Sequence, residues 1–171
     1  MFHVNAITCL SAAAPALGPE QGGTRITVIG SGLRDAYTMQ CRFQGPNNNT
    51  AKARARFVDE GQMECTSPMS NVGVHELQVT LNGQQYTKES MRFMYQLAAS
   101  VSWVSPSVAS SEGGTPLTVL GGGFSSSSES AGVLTCRVGG SVRRARWSGA
   151  LRGRGGAAAA RRATRTAVRA R

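Results

Sequence analysis

The chain has 171 residues, of which 16% are charged, and its formal net charge at pH 7 is +10. The excess positive charge lies in residues 141–171, which hold ten arginines and no acid, whereas residues 1–140 hold nine Lys or Arg and nine Asp or Glu. No run of about eighteen consecutive apolar residues is present, so a transmembrane helix is not predicted. The length allows one large domain or two small ones.

The first seventeen residues support two interpretations. They have small residues near a possible cleavage site, but they contain no Lys or Arg, and Asn5 and Thr8 interrupt their apolar run. A signal peptide is one interpretation. The other is that residues 10–14 form a first strand, which is favoured because they align with residues 101–105 in a repeat of the chain.

A series of short β-strands is predicted between residues 25 and 95. Residues 25–29 alternate, with Ile26 and Val28 on one face, as a half-buried strand requires. Further predicted strands cover residues 39–43, 53–58, 63–66, 75–81 and 91–95. With the first strand, this makes about seven strands and no helix.

Two turns stand out between these strands. Residues 45–49 read Gly-Pro-Asn-Asn-Asn, which is turn chemistry and places a loop on the surface. Asn82 and Gly83 predict a two-residue hairpin of type I′, because both central positions of that turn need a positive φ.

An internal repeat organises the chain. Residues 15–33 return as residues 106–124, with eight of the nineteen aligned positions identical. Beyond residue 140 the correspondence fades, because nothing later resembles the last strands of the first copy. We therefore expect a complete first copy and an incomplete second copy, in which residues 125–128 form a flexible polar loop.

The C-terminal segment consists almost entirely of Ala, Arg and Gly and cannot supply a hydrophobic core. Three interpretations stay open: a basic arm for nucleic acid or acidic lipid, a disordered end, and a GC-rich gene read out of frame. The predicted organisation is a β-sandwich at residues 10–97, a partial second repeat at 98–147 and a tail, predicted to be disordered, at 148–171.

The order and spacing of five short motifs resemble the IPT/TIG family of immunoglobulin-like domains. The motifs are Gly-Gly-Thr at 22–24, a β-branched strand at 26–29, Gly-x-Gly-hydrophobic at 30–33, Cys-Thr-x-Pro at 65–68 and Phe-x-Tyr at 93–95. The resemblance covers residues 10–95 in full and 100–140 in part. It implies an all-β, immunoglobulin-like β-sandwich of the E-set type, used for protein contact or spacing, with no shared active site.

The resemblance also implies a disulfide between Cys41 and Cys65 that joins neighbouring strands, since cysteines at these places look like a bonded pair in extracellular members. Closing a loop of about 25 residues would contribute on the order of 3 kcal/mol to so small a domain. The alternative is a pair of buried, reduced thiols in an intracellular protein. Cys136 corresponds to Cys41 but has no counterpart of Cys65, and Cys9 has no assigned partner.

Catalytic, cofactor and metal sites are not predicted. The chain has only two histidines, His3 and His75, so nucleophile and base pairs lack partners. A metal site formed by Cys41, Cys65 and His75 lacks the usual Cys-x-x-Cys or His-x-x-x-His spacing. The Gly-rich turns precede strands and carry no Lys-Ser/Thr, so they do not read as phosphate loops.

Two further features concern the surface. Asn48 begins an Asn-Asn-Thr glycosylation acceptor in the most turn-like loop, which together with the cysteine pair favours an extracellular or luminal location. Tyr37, Tyr86 and Trp103 are aromatic residues that could stack on sugars or bases, although core or interdomain packing is favoured for Trp103.

Three functions follow as hypotheses. The leading one is a non-enzymatic adhesion or recognition module, or spacer, of a cell-surface or secreted tandem-repeat protein, with a protein ligand or neighbouring repeats as partners. The second is an intracellular nucleic-acid-binding protein that uses the sandwich for dimerisation and the basic tail for contact. The third is a carbohydrate-binding accessory domain.

Overall fold

The computed structural model describes residues 8–150 and 162–167. The chain divides into two compact units, which we call unit 1 (residues 1–96) and unit 2 (residues 97–171). Strands predominate in the described parts of both, which confirms the predicted all-β, immunoglobulin-like fold. None of the helices in the described residues is long and apolar enough to span a membrane.

The described part of unit 1 contains eight strands. Their bounds are β1 (Cys9–Ala14), β2 (Leu17–Pro19), β3 (Arg25–Ser31), β4 (Gln40–Gln44), β5 (Thr50–Asp59), β6 (Gln62–Thr66), β7 (Gly73–Thr80) and β8 (Met91–Gln96). They pair in the order β1-β3-β6-β5-β4-β7-β8-β2, and β2 with β8 is the one parallel pair among them. Strand β1 confirms the first strand that the repeat alignment favours.

Strand β5 belongs to both layers of the sandwich. Its first half, residues 50–54, pairs with β4, whereas residues 55–59 pair with β6. This switch divides the remaining strands into a layer of β1, β3 and β6 and a layer of β4, β7, β8 and β2. The two layers are therefore joined by a continuous backbone as well as by their common core.

Alternation along the strands places the apolar side chains of both layers in a single core. Its most deeply buried members, all at most 1% exposed, are Ile26, Val28, Met39, Cys41, Phe43, Met63, Leu77, Val79, Phe93 and Tyr95. Phe43, Phe93 and Tyr95 pack edge to face, with ring centroids 5.0, 5.6 and 6.0 Å apart. This is the favoured geometry for aromatic rings, and it fixes the centre of the core.

We expect the free energy of unfolding of unit 1 to fall as the pH rises from about 10 to about 12. Tyr95 is fully buried, and its hydroxyl donates to the Pro68 carbonyl at 2.9 Å. Burial raises the pKa of Tyr95 to about 12, because the phenolate would lose its solvation. The unfolded chain therefore releases this proton first, and the stability that Tyr95 contributes is lost through that pH range.

Denaturant titrations at several alkaline pH values measure this effect. In the Tyr95→Phe variant, which keeps the ring and has no ionisable hydroxyl, the fall should be smaller. An equally steep fall in that variant would show that another group controls the alkaline transition.

The two-residue hairpin predicted at Asn82 and Gly83 is wrong. Strands β7 and β8 are instead connected by a loop, residues 81–90. Gly83 has a φ of +76° but Asn82 does not have a positive φ, whereas a type I′ turn requires it at both positions. The Asn82 Oδ1 accepts hydrogen bonds from the backbone N–H groups of Gln84 and Gln85, at 3.0 and 2.9 Å, which favours continuation of the loop.

The described part of unit 2 contains six strands and one short helix. Their bounds are β9 (Ser100–Ser105), β10 (Pro116–Gly122), α1 (Ser126–Ser130), β11 (Thr135–Val138), β12 (Ser141–Arg144), β13 (Arg146–Ala150) and β14 (Arg162–Ala167). They form a sheet of order β13-β14-β10-β9 and a separate pair, β11-β12. Helix α1 replaces the flexible loop expected there, because the Ser125 Oγ accepts from the Ser128 N–H at 3.1 Å and caps it.

Strand β14 lies within the segment that the sequence predicts to be a disordered tail. It pairs with β10 on one side and with β13 on the other. Strand β9 occupies the other edge of β10, so β14 completes the hydrogen bonding of β10 and of its own backbone. The rest of that segment after Ala150, residues 151–161 and 168–171, lies outside the described residues.

The core of unit 2 is smaller than that of unit 1. Its buried apolar side chains, among the described positions, are Val119, Phe124 and Ala145, and a cavity of about 320 Å³ lies beside them. Strand β11, which carries Cys136, has β12 as its described partner, whereas the corresponding strand β4 is paired on both sides. Trp103 is 51% exposed, so the core position favoured from sequence is not observed.

Candidate functional site

The disulfide expected from the sequence is present between Cys41 and Cys65. The two residues lie opposite Ala53 and Ala55 on the two halves of β5, and their Cα atoms are 6.4 Å apart. The sequence predicted a bond between neighbouring strands, and this part of the prediction is wrong. The bond connects β4 and β6, which lie on either side of β5. Both cysteines are buried, so the bond ties the two layers together from inside the core.

His75 is not near a metal-binding constellation, and among the described residues no group of His, Cys, Asp or Glu side chains could hold a metal ion. Its Nε2 lies 2.9 Å from the Ser70 Oγ, and its Nδ1 lies 3.2 Å from the Gly73 carbonyl oxygen. Nδ1 therefore donates to that carbonyl, and Nε2 accepts from the Ser70 hydroxyl. This serine–histidine pair was not predicted from the sequence.

The environment of the pair gives it a structural role. The imidazole is completely buried, so a substrate cannot reach Nε2. A Cβ atom at Gly45 would collide with the His75 ring, which explains why the neighbouring turn needs glycine there. The Asn49 side chain donates to the Ser70 Oγ at 3.3 Å. The three polar side chains thus anchor the turn before β5 to the loop before β7.

Asn48, the first residue of the glycosylation acceptor, lies in this anchored turn. Asn47 and Asn48 both have a φ of +58°, and Asn48 is exposed at the surface. The adjacent Asn49 is held through Ser70. The turn therefore presents the Asn48 amide on a fixed backbone, while its glycosylation stays a prediction.

Unit 1 carries a cluster of exposed or half-buried cations that we call the basic face; it consists of Arg25, Arg42, Lys52, Arg54 and Arg56. Three of them project from the same side of β5, because they alternate with alanines that pack against the core. Arg42 lies directly opposite Lys52 on the neighbouring strand, and Arg25 reaches the face from β3.

Two tyrosines orient two of the four arginines of the basic face. The Arg54 guanidinium lies 4.4 Å from the ring centroid of Tyr37, and the Arg42 guanidinium lies 3.8 Å from that of Tyr86. Both distances are within the range of a favourable cation–π contact. Arg42 also donates to the Gln78 side chain, so its guanidinium is held from two directions.

Arg56 is paired with a carboxylate. Its Nη2 and Nε donate to the same oxygen of Glu64 at 2.8 and 3.2 Å. This hydrogen bonding from Arg56, together with the nearby charge of Arg25, lowers the pKa of Glu64. Because this pair is exposed to solvent, we expect it to contribute little to the free energy of unfolding. Its main effect is on the charge of the surface.

The cations of unit 1 are unevenly distributed. Between residues 8 and 96 the chain has eight Lys or Arg and seven Asp or Glu, which is close to neutral. Five of the eight cations lie on the basic face, where Arg25, Arg54 and Arg56 line a groove of about 780 Å³ together with two acids, Asp35 and Glu64, so the cations outnumber the acids there. The face can therefore attract anionic groups although the unit as a whole has almost no net charge.

The net positive charge of the sequence lies wholly in residues 141–171, so the basic face of unit 1 was not predicted. A signal was present in the alternation of residues 52–56, Lys-Ala-Arg-Ala-Arg, which predicts three cations on one side of a strand. The contribution of Arg25 and Arg42 depends on strand order, which the sequence does not reveal.

A second surface of unit 1 is apolar; we call Leu17, Val72, Val74 and Met94 the apolar patch. Val74 and Met94 are cross-strand partners on β7 and β8, and Leu17 lies beside Met94 on β2. Val72, Val74 and Met94 are 46%, 45% and 37% exposed. Exposed apolar side chains grouped in this way are typical of a protein-contact surface.

Comparison with known proteins gives a family match over most of the chain. The sequence profile of the IPT/TIG domain matches residues 9–95 and 99–149. No curated protein matches the chain by sequence.

Two solved structures align with the chain. A crystal structure of the full extracellular region of Plexin A4 aligns with 94% of this chain and 12% of its own length, at 17% identity and a TM-score of 0.54. A protein of unknown function from Bacteroides thetaiotaomicron aligns with 59% of this chain and 24% of its own, at 19% identity and a TM-score of 0.46. The chain thus spans about an eighth of the length of the plexin structure, and at this identity the likeness concerns the fold alone.

Proposed function

Because the chain belongs to the IPT/TIG domain family, we propose that it is a non-enzymatic protein-binding or adhesion module, or a spacer, of a cell-surface or secreted tandem-repeat protein. The observation that carries this proposal is the buried disulfide between Cys41 and Cys65. Disulfides of this kind persist in oxidising compartments and are rare in the cytosol. The tandem profile matches support the repeat organisation.

The apolar patch is the surface we assign to protein contact. Leu17, Val74 and Met94 stand on paired strands of a crosslinked sandwich, so they are presented on a rigid backbone, and Val72 lies directly before β7. Methionine is enriched in protein interfaces, and an apolar centre with a polar surround is their usual composition. A protein ligand or a neighbouring repeat of the same family would fit this surface.

Glycosylation of Asn48 belongs to the same proposal. Its exposure in an anchored turn supports modification in a secretory compartment. The glycan would project from the turn between β4 and β5, at the end of β5 where Thr50 begins the strand.

A peptide mass map of the protein from its own cells, digested without reducing agent after free thiols are blocked, tests the proposal. We expect a linked peptide pair containing Cys41 and Cys65, and a glycan on the peptide containing Asn48. Separately blocked thiols at both cysteines would overturn the extracellular assignment. They would favour the intracellular alternative, in which the arginine-rich tail contacts nucleic acid.

A further inference from the structure

We propose that the basic face of unit 1 binds an acidic polysaccharide that carries sulfate or carboxylate groups. The inference rests on the proposed function in one respect: an extracellular module is exposed to such polymers. The face is distinct from the apolar patch, which we assign to protein contact.

The spacing of the cations suits a linear polyanion. Lys52, Arg54 and Arg56 follow one another on the same side of β5, so their Cα atoms are about 6.6–6.8 Å apart along the strand. Arg25 stands opposite Thr66 on β6, which places it two strands from β5, or about 9.5 Å away. The cations thus form a two-dimensional array that several anionic groups of one polymer can contact together.

Two of the guanidinium groups, those of Arg42 and Arg54, are held in place before a ligand arrives. Arg54 stacks on Tyr37, whereas Arg42 stacks on Tyr86 and donates to Gln78. Guanidinium groups present parallel N–H donors that match the oxygens of carboxylate and sulfate. Because these side chains are already ordered, binding costs less conformational entropy than it would for free arginines.

The composition of the face favours a polysaccharide over a protein. A protein interface usually has an apolar centre within a polar rim. Between Lys52 and Arg56 the intervening alanines, Ala53 and Ala55, pack against the core. The face therefore offers charges and hydrogen-bond donors, without an apolar anchor along this part of β5.

The same surface is poorly suited to single-stranded nucleic acid. Recognition of unpaired bases relies on aromatic rings that are available for stacking. Tyr86 is half-buried with the Arg42 guanidinium over its ring, and Tyr37, although 83% exposed, has the Arg54 guanidinium on one face. The surface therefore offers at most one open ring face, rather than a series of rings for successive bases. A ligand that needs anionic contacts but no base stacking uses the site as it stands.

Calorimetric titration of the 171-residue chain with a heparin oligosaccharide tests the inference. Five of the seven arginines of the tail are first neutralised, so that the tail masks the face less; the substitutions are Arg152→Gln, Arg154→Gln, Arg161→Gln, Arg169→Gln and Arg171→Gln, and Arg162 and Arg165 on β14 are kept. We expect this chain to bind heparin. Adding Arg25→Gln, Lys52→Gln and Arg54→Gln should weaken binding by about tenfold or more and lower the slope of log Kd against log salt by about two to three.

The matched control removes three cations from unit 1 outside the basic face, through Arg34→Gln, Lys88→Gln and Arg92→Gln. It loses the same charge, and we expect Kd to change by less than about twofold at physiological salt, where distant charges are screened. The face variant keeps Arg56 and its partner Glu64, and an unchanged unfolding midpoint confirms that it is folded.

Three results would overturn the inference: no heparin binding by the tail-neutralised chain, equal weakening in the face and control variants, or tighter binding of poly-glutamate or single-stranded DNA of matched charge. The last result would assign the face to a protein or nucleic-acid partner. None of these readouts depends on the peptide map. The proposed function fails if Cys41 and Cys65 carry free thiols in the native protein, whatever the heparin titration shows.

Discussion

Replacing Cys41 and Cys65 together by alanine should lower the free energy of unfolding of unit 1 by about 3 kcal/mol. The bond closes a loop of sequence separation 24, and without it the unfolded chain gains the conformational freedom of that loop. The double variant leaves no lone buried thiol, so the loss reports the crosslink. Because a domain of this size has a stability of about 5–15 kcal/mol, the change is a large fraction of the total.

Tyrosine fluorescence during denaturant unfolding measures this change in unit 1, because all three tyrosines lie there and both tryptophans lie in unit 2. Two controls sharpen the result. The reduced wild-type protein should behave like the double variant, and Cys9→Ser, which removes an exposed free cysteine, should not change the midpoint. A double variant as stable as the oxidised protein would show that the disulfide contributes nothing to folding.

Phe43→Ala should cost about 3–5 kcal/mol, the largest effect we expect from a single substitution. Phe43 is fully buried on β4 and packs edge to face on Phe93 and Tyr95, at centroid distances of 5.6 and 6.0 Å. Truncation would leave a cavity in the middle of the core, which the crosslinked layers could not collapse to fill.

Phe57→Ala provides the matched comparison, because Phe57 contacts the same core from a partly exposed position on β5. We expect it to cost less than half as much as Phe43→Ala, since less surface returns to water. Chemical denaturation followed by tyrosine fluorescence ranks the two. Equal losses would mean that the aromatic cluster is not the centre of the core.

The strands and the core were predictable because their signals are local. Apolar residues alternate with polar ones along these strands, which predicts that Ile26 and Val28 on β3, and Leu77 and Val79 on β7, face inward. All four side chains are buried in the core. The loop between β7 and β8 was not predictable from its turn dipeptide. The N–H of Thr87 donates to the Val79 carbonyl, and the Thr87 Oγ1 accepts from the Val79 N–H, so contacts beyond the dipeptide determine the connection.

The candidate site was predictable only in part. Family resemblance indicated that Cys41 pairs with Cys65. That the two cysteines lie on either side of β5 could be known only from the order of the strands. The same holds for the basic face, since Arg25 and Arg42 join the β5 cations only after β3 and β4 take their places. The contact between Ser70 and His75 spans a loop, whose conformation the residue types do not specify.

The crosslink on either side of β5 also determines how unit 1 would respond to tension. A force applied through its two ends would pass from Cys41 directly to Cys65, so residues 42–64 would carry none of the load along the backbone. About 80 Å of contour length would stay hidden in the closed loop even after the outer strands had been pulled away. Lys52, Arg54 and Arg56 lie within this protected loop, so the covalent segment that carries these charges would survive extension of the rest of the unit.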